Sequence, residues 1–490
     1  MESAGLLRLP VAELATPYAA LVTAGMAVLA TACWLVFVKR NTSRPSEADG
    51  RRLPPGSRGF PIIGETLEFL TESPANQLPA FFKRRLDRYG PIFKTNMIME
   101  DLIVSLDPEV SNFVVQQEEK LFQIWYPGSF MRITGAESII TTHRLLHRHI
   151  RNLVLRIFGP GNLRQEIIQE MHKTAEASLS SWLNHPSIEL KEAVSSRRAL
   201  RRRGGARGGR WWCIVIAAVV SMERRRMIFS VTAELISYDS STSDGKMWKH
   251  YVAFAQGLIT LPLCIPGTAF YKCMQGRKNV MKMLKEILNE RKKIEGRHES
   301  IDFLDVLIEE VKEDNPSMTE NTALNLLFSL LFGSFDTTSS GITAMLKFLT
   351  DNPEALRELT EEHNNIRRRR ADLNSEITWE EYKSMKFTSH VIHEALRLAS
   401  ITPMMFREAI EDDIAEPAGG ASKDFMPFGG GLRLCVGAHF AKLQMAVFRS
   451  KEEEWCFLPA YDFPKKIQLE QVICVRQKPS SVLARCSVMN

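Results

Sequence analysis

The residues best placed to do chemistry are a cysteine and an arginine in a glycine-rich stretch near the C-terminus. Cys435 follows three consecutive glycines and Arg433, and Gly437 comes two residues later. Glycine has no side chain, so the backbone can turn tightly there and approach a flat ligand closely. A guanidinium such as that of Arg433 can bind a carboxylate of the same ligand. The stretch therefore predicts a site for a flat, carboxylated molecule next to a thiol.

A helix is expected directly after the cysteine, because residues 438–448 carry apolar side chains at helical spacing. Cys435 would then lie at a helix N-terminus, where free backbone N–H groups and the positive end of the helix dipole favour a thiolate. A thiolate, a planar cavity and a cation for a propionate are what an iron porphyrin with a sulfur axial ligand requires. The alternative is that Cys435 is an ordinary buried thiol, since free cysteine is among the most buried residue types.

The same stretch resembles the haem-binding signature of the cytochrome P-450 superfamily at every defined position, namely Phe428, Gly431, Arg433, Cys435 and Gly437. The resemblance implies the fold of that superfamily, which is mainly α with small β-sheets (α+β). An N-terminal transmembrane helix would precede this fold. It also implies that haem b is bound, with the Cys435 thiolate as the axial ligand of its iron. Phe428, Arg433 and Gly437 would contact the same cofactor.

A long apolar helix is expected from about residue 321 to residue 350, after a candidate capping box at Ser317-Met-Thr-Glu320. Its middle contains Asp336 and Thr337, and polar groups there are costly unless they meet a partner or line a cavity. One interpretation is that Thr337 only bonds to a carbonyl one turn earlier and bends the helix. The resemblance implies instead that Asp336 and Thr337 are catalytic residues that deliver protons during the activation of O2.

The resemblance also implies roles for two further pairs of residues. His147 and Arg151 lie four residues apart in a basic amphipathic segment and would bind haem propionates, although such clusters are commonly solvated faces. Glu394 and Arg397 lie three residues apart on one helix face and would form the structural glutamate–arginine pair of the family. Without the resemblance, a pair at this spacing is by default a solvated surface pair.

The composition favours a folded protein. The chain has 490 residues, of which 44% are hydrophobic, and its eight cysteines show no disulfide or zinc spacing, which favours a reducing compartment. The net charge of +6 is local in origin, because residues 197–226 contain ten arginines and one glutamate and leave the rest of the chain at −3. This stretch lacks repeated aromatic interleaving, so we expect no nucleic-acid partner.

The N-terminal region predicts a membrane anchor. Residues 15–38 contain no charged residue, and the apolar part is long enough to span a bilayer. Lys39 and Arg40 follow at once and place the bulk of the chain in the cytoplasm by the positive-inside rule. A cleaved signal peptide fits less well, because basic residues end the stretch instead of a small-residue cleavage site. We expect a lumenal N-terminus (1–16), a single span (17–38), a basic, Pro-rich linker (39–59) and a cytosolic catalytic domain (60–490) at the endoplasmic reticulum membrane.

Two shorter motifs, Trp125-Tyr-Pro-Gly-Ser129 and Leu261-Pro-Leu-Cys-Ile-Pro-Gly-Thr268, resemble the plant clan that oxidises brassinosteroids, triterpenoids and abscisic acid. The resemblance implies a haem-dependent monooxygenase that hydroxylates a hydrophobic steroid- or terpenoid-like substrate with O2. Electrons would come from NADPH through a membrane-bound NADPH-cytochrome reductase. Residues 400–405 would pass over the haem and contact the substrate.

Three regions depart from the family pattern. Residues 197–226 form an atypical Arg/Gly insert, and residues 449–490 form an atypical tail. The chain also passes from Asp412 directly to Asp413 where the family has a longer connection, whose second arginine locks the pair formed by Glu394 and Arg397. Buried without that arginine, the pair would be destabilising by several kcal/mol, on the order of 3–5.

Two alternatives to a monooxygenase follow from these features. The first is a haem-thiolate isomerase or dehydratase that rearranges hydroperoxides, but such enzymes tend to lack the acid–threonine pair, so Asp336 and Thr337 disfavour it. The second is a catalytically inactive, membrane-anchored chain, which the short connection before Cys435 favours.

Overall fold

A computed structural model defines the arrangement of most of the chain. The described residues are 24–28, 31–32, 34–35, 54–60, 63–71, 78–97, 100–135, 137–140, 142, 144–159, 167–169, 171–173, 238, 246–258, 260–294, 302–312, 317–370, 372, 375–399, 401–402, 404–410, 426–453 and 472–476. The predictions for the lumenal N-terminus, the insert 197–226, and most of the span, linker and tail lie outside them.

Helices dominate the described residues, as the sequence predicts. They are α1 (Thr66–Phe69), α2 (Ala80–Tyr89), α3 (Pro108–Gln116), α4 (Gly128–Thr134), α5 (Arg144–Phe158), α6 (Lys246–Gln256), α7 (Ala269–Lys293), α8 (Phe303–Lys312), α9 (Glu320–Asp351), α10 (Pro353–Arg368), α11 (Trp379–Ser384), α12 (Lys386–Ala399) and α13 (Ala438–Glu453), with a short 3₁₀ helix at Gly431–Arg433. Within the same residues, no helix combines the length and the apolar character needed to cross a membrane.

A five-stranded sheet accompanies the helices and runs in the order β1-β2-β5-β4-β3. Its strands are β1 (Ile92–Met97), β2 (Glu100–Ser105), β3 (Phe122–Ile124), β4 (Met404–Ala409) and β5 (Val472–Arg476). All neighbouring strands are antiparallel except β4 and β5, which are parallel. The central strand, β5, comes from the atypical tail, so part of that tail belongs to the fold. The prediction of a mainly α fold with a small sheet is confirmed.

The longest helix, α9, runs through the main hydrophobic core. Its bounds agree with the expected 321–350 to within one residue at each end. The cap differs from the expected one, because the Thr319 hydroxyl, and not Ser317, accepts a hydrogen bond from the Thr322 N–H at 3.1 Å. Leu326 and Leu327 on α9 are buried, together with most apolar residues of this helix.

α9 packs closely against α13, the helix that follows the cysteine loop. At the contact, a Cβ added to Gly341 would lie 3.2 Å from Met445 Sδ and 3.4 Å from the side chain of Ile401. The absence of a side chain at Gly341 therefore lets the two helices approach. Thr337 lies one turn before this contact on α9.

Candidate functional site

The cysteine loop is held by hydrogen bonds of its own backbone. The Cys435 N–H donates to the Phe428 carbonyl at 2.9 Å, which closes the glycine-rich turn. The Ala441 N–H donates to the Gly437 carbonyl at 2.8 Å, as the first turn of α13 begins. The predicted helix after the cysteine is confirmed, and Cys435 lies three residues before its first residue.

Two glycines show what this loop requires. Gly431 has a φ of +58°, and a Cβ there would lie 2.5 Å from the Val115 carbonyl oxygen near the end of α3. The loop therefore packs directly on the backbone of α3, which only glycine permits. Gly437 is different, because a Cβ there would meet no atom within 4 Å. The space beside the cysteine is open at this point.

The Cys435 thiol is free and exposed, yet burial raises its pKa. A sulfur that lines a concave surface can be exposed and still have a raised pKa, because solvent reaches it from one side while protein surrounds its other sides. A hydrogen bond from the Gly437 backbone and the charge of Arg151 act in the opposite direction and lower the pKa, but burial outweighs them. The backbone at the start of α13 thus acts in the expected direction, while burial has the larger effect on the pKa of Cys435. A coordinated metal ion deprotonates a thiol outright.

Of the two predicted propionate-binding residues on α5, Arg151 contacts the cysteine loop. Arg151 donates from Nη1 to the Leu434 carbonyl, next to Cys435. His147, one turn earlier on the same helix, is buried at 8% exposure. The structure thus brings Arg151 to the cysteine loop and places His147 in the protein interior.

Arg433 has protein partners that the sequence did not predict. Its Nε donates to Glu118 Oε1 at 3.2 Å, and its Nη2 donates to the Thr142 carbonyl at 2.5 Å. Arg407 Nε lies 2.6 Å from the other carboxylate oxygen of Glu118. Burial lowers the pKa of Arg433. We call Glu118, Arg407 and Arg433 the Glu118 cluster.

The Glu118 cluster was missed because no local pattern marks it. Arg407 lies in the short strand β4 beside Glu408, and only the fold shows that its side chain is buried. Glu118 precedes Glu119, which has a φ of 67° although it is not glycine. A left-handed residue of this kind costs energy and tends to occur at functional sites. The backbone of this turn thus marks a position that the sequence alone does not.

In the middle of α9, the face that carries Gly333 and Thr337 is exposed although most of the helix is buried. A Cβ added to Gly333 would meet nothing within 4 Å, so this face borders open space. The Thr337 hydroxyl donates to the Gly333 carbonyl at 2.6 Å, which is the local bond of the simpler interpretation. Asp336 is helical, and its side chain lies outside the described part of the structure.

Glu394 and Arg397 form a bidentate ion pair on α12, with Nε to Oε2 at 2.8 Å and Nη2 to Oε1 at 2.6 Å. The hydrogen bond from Arg397 lowers the pKa of Glu394. The side chains are 36% exposed for Arg397 and 55% for Glu394. Solvent reaches both charges, so the condition under which the pair would be destabilising, burial without a second arginine, is not met.

The segment expected to contact a substrate is partly taken up by the sheet. Met404 and Met405 are the first residues of β4 and pack against two separate apolar clusters on its two faces. Ile401 packs against the main core. Only the start of the segment therefore lies near α9.

The residues present fit a flat, largely apolar group that carries carboxylates. Leu432 and Leu434 are each 43% exposed beside the exposed Cys435. Arg151 and Arg433 supply positive charge at the same loop. A thiol, exposed leucines and arginines suit an iron porphyrin with a sulfur ligand and propionate groups. The fold and the site together define a haem-thiolate protein.

Comparisons with known proteins agree with this class. The model of the Cytochrome P450 family matches residues 226–416 and 411–451. The chain is 40% identical over 438 residues to Cytochrome P450 87A3 of Oryza sativa subsp. japonica, covering 81% of this chain and 79% of the relative. It is 31% identical over 467 residues to Cucurbitadienol 11-hydroxylase of Siraitia grosvenorii, covering 87% and 91%. The chain belongs to the cytochrome P450 family.

A solved structure shows the same fold. Retinoic acid bound cyanobacterial CYP120A1 superposes with a TM-score of 0.64 at 23% identity, covering 82% of this chain and 92% of that chain. Proteins of the cytochrome P450 family use a haem whose iron is bound by a cysteine thiolate, and electrons reach it from NADPH through a reductase. Cys435 lies in the second matched segment and remains the predicted ligand in this chain.

Proposed function

We propose that this protein is a haem-dependent monooxygenase that hydroxylates a hydrophobic steroid- or terpenoid-like substrate with O2. The observation that carries the proposal is the exposed Cys435 thiol. It lies in a loop that matches the whole haem signature and is closed by the hydrogen bond from the Cys435 N–H to the Phe428 carbonyl. The relative named for 11-hydroxylation of cucurbitadienol supports the substrate class.

Each polar group of the site has a role in this reaction. Haem, when bound, supplies the activation of O2 and the oxidation of the C–H bond. Cys435 would hold the iron, and Phe428 and Gly437 would bound the space beside it. Arg151 and Arg433 would supply positive charge for the propionates, and His147, buried one turn before Arg151, would bind the same groups as the sequence predicts.

Asp336 and Thr337 on α9 would hold and deliver the protons that the reaction of O2 requires. Support comes from the exposed face of α9, where the Thr337 hydroxyl borders open space. That hydroxyl donates a hydrogen bond to the Gly333 carbonyl. Its oxygen can therefore still accept a hydrogen bond from a reactant or from water. Glu394 and Arg397 have no chemical role and stabilise the start of the connection to the cysteine loop.

The electron donor in this proposal is a membrane-bound NADPH-cytochrome reductase. A cavity of about 310 Å³ lies between α11, α12 and α13, the last being the helix that follows Cys435. Lys383, Lys386, His390 and Lys442 contribute to its lining, which contains no carboxylate. A positive surface that includes the helix after the cysteine suits an acidic partner.

The proposed location is the endoplasmic reticulum membrane. Residues 17–38 would cross it once, after a lumenal segment of residues 1–16. The basic and Pro-rich linker 39–59 would connect the span to a cytosolic catalytic domain of residues 60–490. The charge-free stretch up to Val38 and the following Lys39 and Arg40 support this arrangement.

A catalytically inactive chain is the second candidate. The match to the family falls into two segments that meet at residues 411–416, where the connection to the cysteine loop is short. A break in the family pattern at this place supports the loss of a segment that helps to shape the haem site. The isomerase alternative gains no comparable support.

One spectrum of the reduced, carbon monoxide-treated protein separates these candidates. We expect the absorption band typical of a haem thiolate from the full chain, and its loss in Cys435→Ser. A band typical of histidine-ligated haem, or no bound haem, would favour the inactive chain. Retention of the thiolate band in Cys435→Ser would refute the ligand assignment.

Thr337→Ala tests the proton-delivery role, with Thr343→Ala as the matched control. Both hydroxyls donate to the carbonyl four residues earlier on α9, at 2.6 Å for Thr337 and 2.8 Å for Thr343. We expect Thr337→Ala to bind haem normally but to form less product for each electron consumed. Thr343→Ala should form as much product per electron as the wild type. Equal coupling in the two variants would remove Thr337 from the mechanism.

A further inference from the structure

The Glu118 cluster joins three distant parts of the chain at the cysteine loop. Glu118 follows α3, Arg407 lies in β4, and Arg433 ends the 3₁₀ helix two residues before Cys435. Its side chains are 2%, 3% and 10% exposed, in that order. The two guanidinium groups therefore share one carboxylate in a place that water hardly reaches.

The charges of the cluster do not cancel. Two arginines and one glutamate leave one positive charge, and the neighbouring phenol of Tyr126 is neutral because burial raises its pKa. The remaining carboxylate that acts on Arg433 is that of Glu119, whose effect is weaker than that of Glu118. One further carboxylate beside the cluster would neutralise this remaining positive charge, and pairing is favourable because the charge is buried.

We propose that Glu118 is a positioning residue of the cofactor site. Its carboxylate fixes Arg407 and Arg433 in one orientation and reduces their combined charge from two to one. A single propionate then completes the neutral group, and the net charge beside the porphyrin sets the reduction potential of the iron. This inference rests on the proposed function, because it requires bound haem.

The role of Glu118 follows from two opposite changes of charge. Glu118→Gln keeps the shape of the side chain and raises the cluster charge by one, whereas Arg407→Gln lowers it by one. Extra positive charge near the haem stabilises the reduced iron, since burial weakens the screening of charges. We expect Glu118→Gln to shift the reduction equilibrium about tenfold towards the reduced form, which for one electron is about 59 mV, and Arg407→Gln to shift it in the opposite direction.

The double variant Glu118→Gln with Arg407→Gln restores the original charge. Its midpoint potential, measured by spectroscopic redox titration of the full chain, should equal that of the wild type. Glu408→Gln is the matched control, because Glu408 follows Arg407 in β4 on the other face of the strand and accepts its hydrogen bond from Gln123. We expect no shift there.

Several outcomes would overturn the inference. One is a potential that is unchanged in both single variants, and another is a shift of the same sign in both, as general damage to the site would give. Should Glu118→Gln fail to fold, the sign of the shift in Arg407→Gln decides the matter. Failure of the proposed function looks different, because the wild type would then lack the haem-thiolate band altogether.

Discussion

Two groups of glutamate and arginine side chains have similar geometry but lie in opposite environments. In the Glu118 cluster, the shortest ion-pair distance is 2.6 Å and the side chains are nearly inaccessible. Between Glu394 and Arg397 the shortest distance is also 2.6 Å, but both side chains are well exposed. Distance alone therefore says little about the contribution of an ion pair to stability. Burial decides it, because water competes with the exposed pair and screens it.

The two groups also differ in what they connect. The exposed pair lies within one turn of α12 and joins no separate elements. The buried cluster joins the turn after α3, the strand β4 and the cysteine loop, which are far apart in the sequence. We infer that the cluster determines the architecture of the cofactor site, while the exposed pair stabilises only α12 and the start of the connection that follows it.

The largest effect is expected from truncating the buried carboxylate. Glu118→Ala leaves two buried guanidinium groups without a counter-charge, and should lower the free energy of unfolding by about 3–5 kcal/mol. Glu394→Ala is the matched control and should cost at most about 1 kcal/mol. Urea unfolding of both variants measures the difference. Equal losses would show that burial is not what separates the two groups.

A buried histidine sharpens the comparison, because it holds the start of the helix that carries the exposed pair. His363 Nε2 lies 2.8 Å from the Thr388 hydroxyl at the beginning of α12. Burial, with the charges of Arg449 and Arg370, lowers the pKa of His363 from 6.5 to about 4. Between these values the unfolded chain binds more protons than the folded chain, so stability falls as the pH falls from about 6.5 to about 4.

At 1.36 kcal/mol for each pKa unit, this histidine contributes about 3 kcal/mol of pH-dependent stability, an order-of-magnitude figure. His363→Gln should make the unfolding free energy flatter over this pH range, whereas the exposed His390→Gln should leave the curve as in the wild type. Denaturant titrations at several pH values provide the measurement. An unaltered pH dependence in His363→Gln would contradict the assignment.

The loop that carries Arg433 offers a third test. Gly431→Ala introduces a Cβ 2.5 Å from the Val115 carbonyl at a φ of +58°, so the loop must move away from α3. We expect a loss of about 2 kcal/mol in the free energy of unfolding, with weaker haem retention. In Gly437→Ala the new Cβ meets no protein atom, so stability should change little while haem binding falls. If both variants are equally stable, contact with α3 does not constrain the loop.

Features that depend on neighbouring residues could be predicted from the sequence. The bounds of α9 follow from a continuous apolar pattern, and the helix after Cys435 follows from the same periodicity. The cysteine loop was found because its residues are adjacent in the chain. The cap at Thr319 was missed by two residues, since several hydroxyl side chains near this end could serve.

Features that depend on tertiary contacts could not be predicted in this way. The partners of Glu118 lie about three hundred residues away, so no local pattern reveals them. The exposure of Glu394 depends on how much chain packs over α12, which spacing does not show. The effect of burial on the pKa of Cys435 could not be predicted for the same reason, because the helix terminus is local whereas burial comes from the whole fold.

The smallest effect is expected at the exposed pair, and it is also the most exacting test of the comparison. Hydrogen bonding to Arg397 lowers the pKa of Glu394, so the stability that the pair contributes is present above the unfolded pKa of Glu394. It is lost as the pH falls through the lower, folded value. Glu394→Gln should therefore cost about 0–1 kcal/mol at neutral pH and nothing at acidic pH, where the wild-type carboxyl is protonated as well.

Salt provides the control for this last variant. The small difference between Glu394→Gln and the wild type should disappear in about 1 M salt, since exposed charges are screened within a few ångströms. The loss caused by Glu118→Ala should persist at the same salt concentration, because its charges are buried. A cost above about 3 kcal/mol for Glu394→Gln, unaffected by salt, would place this pair in the same class as the Glu118 cluster. The residues that follow β4 would then have to cover α12 and exclude water from it.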